Sequence, residues 1–273
     1  MIFTLAVTAV PASAQDALIC RKRDKQGEKA GQTTHLHGNG VNYNGGDGND
    51  TIYGTPGDDI IDGGRGNDKV YGLGGDDIVC GGLNNDKVYG GDGNDEVYGE
   101  EDNDYLVGGP GNDYMLGAAG LDRLIGYGES HGTYTDDGQD IMEGSFLSDV
   151  LVAGGFDTMY GGADDDTLSS KTPSSGAERM DGGLNDDTIT GSDAADKLLY
   201  GDTGDDTIRG GGGNDTIRGG NNDDTLFGDD GDDQIFGELG KDDLSGGNDN
   251  DLCDGDEQPD RADDTCEQKV DIP

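Results

Sequence analysis

The stretch Gly45-Gly46-Asp47-Gly48-Asn49-Asp50-Thr51-Ile52-Tyr53 reads Gly-Gly-x-Gly-x-Asp-x-apolar-x, and the phrase returns at Gly63 to Tyr71, at Gly90 to Tyr98 and at Gly210 to Arg218. Its glycine-rich half reaches φ > 0 at little steric cost, so it turns tightly and aims several main-chain carbonyls at one point. The Asp in sixth place adds a carboxylate there. Carbonyl and carboxylate oxygens suit a hard cation such as Ca²⁺. The phrase offers no soft ligand, which argues against zinc or copper. Its last three places are extended, with the apolar eighth side chain on one face and its neighbours on the other. A single copy buries nothing, whereas stacked copies bury a continuous column of eighth-position residues.

From Gly45 to Ile125 the period runs through nine repeats without a gap. The sixth places hold Asp50, Asp59, Asp68, Asp77, Asp86, Asp95, Asp104, Asp113 and Asp122, and the eighth places hold Ile52, Ile61, Val70, Val79, Val88, Val97, Leu106, Met115 and Leu124. Residues 126–143 break the period. A degenerate block, Gly144 to Ser169, follows with Asp149, Asp157 and Asp166, spaced eight and nine apart, so a bulge or register shift with weaker ion binding is expected there. From Gly182 the phrase resumes with Asp187 and Asp196. After one extra residue, placed at Tyr200, come Asp206, Asp215, Asp224, Asp233, Asp242 and Asp251, with Leu198 read as the core residue that follows Asp196.

These repeats resemble the RTX family of secreted bacterial calcium-binding proteins. The resemblance implies an all-β fold, a right-handed parallel β-roll (a β-helix solenoid) with two nonapeptide repeats per coil and, here, an irregular middle section. It also implies Ca²⁺ ions between successive loops along each edge. The residues expected to hold them are Gly46, Gly48, Asp50, Asp59, Gly64, Gly66, Asp68, Asp77, Asp86, Gly91, Gly93, Asp95, Asp104 and Asp113 in the first half. In the second half they are Asp187, Asp206, Gly211, Gly213, Asp215, Asp224, Asp233 and Asp242.

Only 30% of the 273 residues are hydrophobic, none is Trp, and 54 are Gly. Such a composition ordinarily marks disorder, but a periodic solenoid needs few apolar residues per turn. The net charge of −43 excludes nucleic acid as a partner, because phosphates would be repelled. Metal compensation explains the excess better than a merely solvated surface does. Roughly 10–16 bound Ca²⁺ would supply about +20 to +32. The expected consequence is a chain that folds when calcium binds.

The remaining readings concern ends, cysteines and surface. Residues 1–14 read as a signal peptide ending at Ala12-Ser13-Ala14, 15–44 as an N-terminal cap or lead-in, and 45–125 as the first β-roll block. Residues 126–181 are the irregular segment, 182–254 the second block and 255–273 an acidic C-terminal cap. No stretch is long and apolar enough for a membrane span. Cys253 is expected to pair with Cys266, whereas Cys80 either pairs with Cys20 or stands as a solitary thiol at an outward ninth place. His35 and His37 lack further ligands for zinc. Gly128-Glu129-Ser130-His131-Gly132 matches the hydrolase elbow only as a chance product of a glycine-rich chain, with no helix following. Tyr53, Tyr71 and Tyr89 are expected to stack outward as a ladder, either for packing or as a glycan or partner face. Thr207, Thr216 and Thr225 could suggest ice binding but are good strand formers in any case. The expected function is a secreted, non-catalytic calcium-binding protein with a structural or adhesive role. Its partners are calcium and a cell-surface glycan or cell wall. The alternative, implied by the resemblance, is an accessory-domain-like protein of an extracellular enzyme (protease, lipase or epimerase); the non-repeat pieces themselves are too short for a catalytic domain.

Overall fold

The computed structural model describes residues 32–38, 40–126, 139–154, 157–171, 176–177, 179–256, 260–263 and 265–270. Alternate repeats contribute their strands to two different sheets. Among the described residues each sheet has 13 parallel strands stacked in strict alternation. The first sheet begins at Thr33–His35 and takes Thr51–Tyr53, Lys69–Gly74 and Lys87–Asp92 in turn. The second begins at Asn42–Asn44 and takes Ile60–Arg65, Ile78–Leu83 and Glu96–Glu101. Ile52 pairs with Val70 and Val70 with Val88, so one coil is two nonapeptides, as the resemblance implied. The fold is a parallel β-roll.

The eighth-position residues from both sheets meet in one column. Ile52, Ile61, Val70, Val79, Val88, Val97, Leu106, Met115 and Leu124 are fully buried, and the column continues through Met142, Leu151, Met159, Leu168 and Met180 to Ile235 and Leu244. β-Branched residues lead it because they fit a pleated, two-sided core. The column closes on Cys253 and Cys266, which form a disulfide with Cα atoms 5.8 Å apart. Cys80 is buried at an outward ninth place and is disulfide-bonded; Cys20, its expected partner, lies outside the described residues.

The structure moves one core assignment. Leu199, not Leu198, is fully buried and pairs with Met180 and Ile217. The inserted residue therefore sits between Asp196 and Leu199, not at Tyr200. The alternative would leave Leu199 facing solvent and turn Tyr200 into the core, a one-residue slip that inverts every side chain of the strand.

Both sheets run unbroken across 126–181. Ile141–Phe146 bridges Tyr114–Ala119 and Thr158–Ala163, and Val150–Ala153 bridges Arg123–Ile125 and Thr167–Ser170. At the ends, Thr33–His35 and Asn42–Asn44 from the lead-in, and Arg261–Ala262 and Gln268–Val270 from the acidic tail, act as first and last strands. The leader 1–14 and the 128–132 motif lie outside the described residues.

The outer faces carry ladders. Tyr53, Tyr71 and Tyr89 stack with ring centroids 4.8 Å apart and planes within 7°, and His35 extends the stack onto Tyr53 at 4.5 Å. Farther along, Val107, Ile125 and Val152 cluster at outward positions yet are buried. Near the C-terminus Arg209 lies 4.0 Å over the Phe227 ring and pairs with Asp229 at 3.1 Å; Arg218 does the same with Phe236 and Glu238.

Candidate metal-binding edges

The loops joining the sheets fall on two edges. Loops on the first edge lead into the first sheet and end in Asp50, Asp68, Asp86, Asp104, Asp122, Asp149, Asp166, Asp187, Asp206, Asp224, Asp242 and Asp260. Along this edge each Asp from Asp50 to Asp242 donates its main-chain N–H to Oδ1 of the Asp one coil on. Examples are Asp50 to Asp68 at 2.6 Å, Asp104 to Asp122 at 2.8 Å and Asp224 to Asp242 at 2.9 Å. The spacing is normally 18 residues. It stretches to 27 from Asp122 to Asp149, shrinks to 17 from Asp149 to Asp166, and becomes 21 from Asp166 to Asp187, yet the ladder closes each time. Insertions and deletions are taken up in the loops, because the strand register fixes where each carboxylate must fall.

One oxygen per carboxylate is thereby used. The other, Oδ2, is buried without a hydrogen-bond partner at every one of these first-edge aspartates, and also at Asp77, Asp95, Asp113, Asp215, Asp233 and Asp251 on the second edge. A buried carboxylate oxygen with no donor is costly. Here the cost is repeated from coil to coil. Glycine in first place makes the room: a Cβ on Gly72 would lie 2.3 Å from Asp77 Oδ2 and 2.3 Å from the Gly90 carbonyl of the next coil. The same pairing of Oδ2 with a next-coil carbonyl recurs at Gly45, Gly63, Gly90, Gly144, Gly210 and Gly228, so hard oxygen acceptors gather there. The donors fit calcium.

Burial pushes these carboxyls far above their ordinary range. Asp104 rises to about 9, with the charges of Asp86, Asp122 and Asp102 adding to desolvation and the Asp86 N–H opposing it. Asp86, Asp187 and Asp215 rise to about 8, and Asp77 and Asp166 to about 7, for the same leading reason. An adjacent divalent cation would reverse the sign of the local field.

The predicted glycines Gly46, Gly48, Gly64, Gly66, Gly91, Gly93, Gly211 and Gly213 all sit at positive φ, at the second and fourth places of their loops. Loops that lost glycine keep the conformation: Glu100 and Asp102 stand at φ 83° and 73°, Ser145 and Leu147 at 93° and 67°. These loops keep the shape although non-glycine residues enter this region at a cost.

The second edge is less regular. Asp59 to Asp77, Asp77 to Asp95 and Asp95 to Asp113 repeat the ladder, as do Asp196 to Asp215 and Asp215 to Asp233. Asp59, however, receives the Thr55 N–H on Oδ2 at 2.5 Å, Asp196 receives the Ser192 N–H at 2.9 Å, and Asp157 receives the Gly154 N–H at 2.9 Å. Between Asp157 and Asp196 the ladder place belongs to Ala177, whose N–H meets Asp196 Oδ1.

Sequence reading missed three members. Asp140 takes the Asp113 N–H at 2.9 Å, and its signal was Gly138-Gln139-Asp140-Ile141-Met142, which keeps the Gly-x-Asp-x-apolar end of the phrase without its first two glycines. Asp260 accepts from Asp242, and Glu267 substitutes for Asp in the last coil by accepting from Asp251. Among the described residues no group of three His, Cys, Asp or Glu side chains forms a metal cluster. Any ion at the edges would rest mainly on carbonyl oxygens with few carboxylates. No helix of the described residues is long and apolar enough to cross a membrane.

A family model for the RTX calcium-binding nonapeptide repeat matches residues 44–79, 53–88, 81–115, 89–124, 149–170, 173–200, 200–235, 218–253 and 227–261, together most of the chain. Among curated proteins no match to the chain is found. Among solved structures, a hyperactive, Ca²⁺-dependent, β-helical antifreeze protein from an Antarctic bacterium is similar at 20% identity. It covers 88% of this chain and 85% of its own, with a TM-score of 0.42, a likeness too low to bear on role.

Proposed function

The chain belongs to the RTX calcium-binding nonapeptide repeat family, and from that premise we propose that it is a secreted, non-catalytic protein whose roll is held together by calcium along its edges. RTX repeats are typical of secreted or extracellular bacterial proteins, and the leader-like 1–14 agrees with export. The role is structural or adhesive, with a cell-surface glycan or the cell wall as the partner to test. The ligands are the glycine-loop carbonyls at Gly46, Gly48, Gly64, Gly66, Gly91, Gly93, Gly211 and Gly213 and the sixth-position aspartates whose Oδ2 has no donor.

One observation carries the reading: the repeated buried Oδ2 with no donor. Calcium supplies the positive charge that these oxygens lack, and the chain's own atoms position it. The main-chain N–H of one coil fixes Oδ1 of the next, which turns Oδ2 toward the loop. The first-place glycine keeps that space clear. Binding and folding are therefore one event. Far-UV circular dichroism with calcium and after exhaustive chelation tests this. A β spectrum appearing only with calcium is expected, and an unchanged spectrum after chelation would sink the proposal.

A further inference from the structure

The two edges are not equivalent. The first edge keeps an orphaned, buried Oδ2 from Asp50 to Asp260 without interruption, through the irregular middle included. Its middle loops hold positive φ at Ser145, Leu147, Gly162, Asp164, Gly183 and Asn185, mostly without help from glycine. Among the described residues the second edge has such oxygens in two separate runs, Asp77 to Asp113 and Asp215 to Asp251.

Between them the loops are built differently. Ser192 Oγ donates to the Ala194 carbonyl at 2.9 Å and accepts the Ala194 N–H at 3.0 Å, while the Ser192 N–H occupies Oδ2 of Asp196. Neither Ser192 nor Ala194 has positive φ. The Gly154 N–H occupies Oδ2 of Asp157, and Ala177 brings no carboxylate. The loop before Asp59 repeats the Ser192 arrangement with Thr55 and Gly57. At Asp59, Asp157 and Asp196 a donor of the chain supplies what the orphaned oxygens elsewhere lack. A neutral donor in that place also removes the lone pair an ion would use.

Building on the calcium reading above, we infer that calcium forms one continuous column along the first edge, spanning Asp122, Asp149 and Asp166, whereas the second edge carries two separate columns divided by calcium-free coils, in which Asp157 and Asp196 are capped by the chain's own N–H groups and Ala177 brings no carboxylate. The loop at Asp59 is calcium-free on the same grounds. The chain thus dispenses with the ion on one side of its middle while keeping it on the other.

The test is the calcium content of the full chain after equilibrium dialysis at saturating Ca²⁺, with circular dichroism to show that each variant is folded. Asp166→Asn is expected to carry fewer ions than the parent, and Asp196→Asn the same number. Ser192→Gly combined with Ala194→Gly restores Gly-Gly-x-Gly-x-Asp over 191–196 and is expected to gain calcium. This gain carries the test if Asp196→Asn does not fold. Equal loss in the two Asn variants, or no gain in the double glycine variant, would overturn the inference. A parent chain with no bound calcium would instead overturn the reading on which it rests.

Discussion

At the scale of single residues the sixth-position carboxyl decides the behaviour. In the ion-free fold Asp104 holds its proton up to about pH 9, against 3.8 for an ordinary Asp. Folding without calcium therefore takes up protons. Because the folded value is the raised one, the penalty is absent below about pH 4, grows as pH rises and is complete above about pH 9. The calcium-free chain is expected to regain β structure on acidification to about pH 5 and to lose it toward pH 9, as read by far-UV dichroism. A loss on acidification would contradict it. Asp104→Asn isolates the charge, since the amide keeps an acceptor for the Asp86 N–H that meets Oδ1. Without calcium at pH 8 it should stabilise the chain by about 1–3 kcal/mol, and with calcium destabilise it by a similar amount. Urea midpoints in the two conditions should therefore move in opposite directions.

At the scale of the repeat, glycine has two separate duties, one conformational and one spatial. Gly72 serves space: an added methyl would meet the Gly90 carbonyl and Asp77 Oδ2, whereas at Gly74 the nearest atom is the Asp92 carbonyl at 3.5 Å. Gly72→Ala should cost about 1–3 kcal/mol and weaken calcium binding, while Gly74→Ala should be close to neutral. Urea unfolding in calcium compares the two. The phrase made both the strand and the carboxylate legible, because Asp in sixth place and an apolar residue in eighth survive even where glycine is lost. What it hid was the donor side. Thr55 and Ser192 look like ordinary substitutions for the second glycine, and only the fold shows their N–H groups on Asp59 and Asp196. Asp140 was hidden because only one glycine of the phrase, Gly138, precedes it in register. Leu199 was misassigned because either of two adjacent leucines satisfies the period.

At the scale of the molecule, the core is a single column, so stability is close to a sum over neighbouring coils. The Cys253–Cys266 bond, closing a separation of 13 residues, acts on the last coils only. Cys266→Ser should cost about 3 kcal/mol, with faster amide exchange confined to residues near 243–270 and little change at 50–95. Uniform loosening would mean that the coils are more strongly coupled than nearest neighbours. The outward stack of Tyr53, Tyr71 and Tyr89 has an optical consequence. The protein has no Trp, and chromophores held 4.8 Å apart with planes within 7° of parallel couple electronically. That coupling exists only while the first coils stand in register. Near-ultraviolet dichroism therefore follows assembly of the N-terminal coils, while the far-ultraviolet band follows the whole roll, and the order in which the two signals appear during a calcium titration gives the direction in which the coils form.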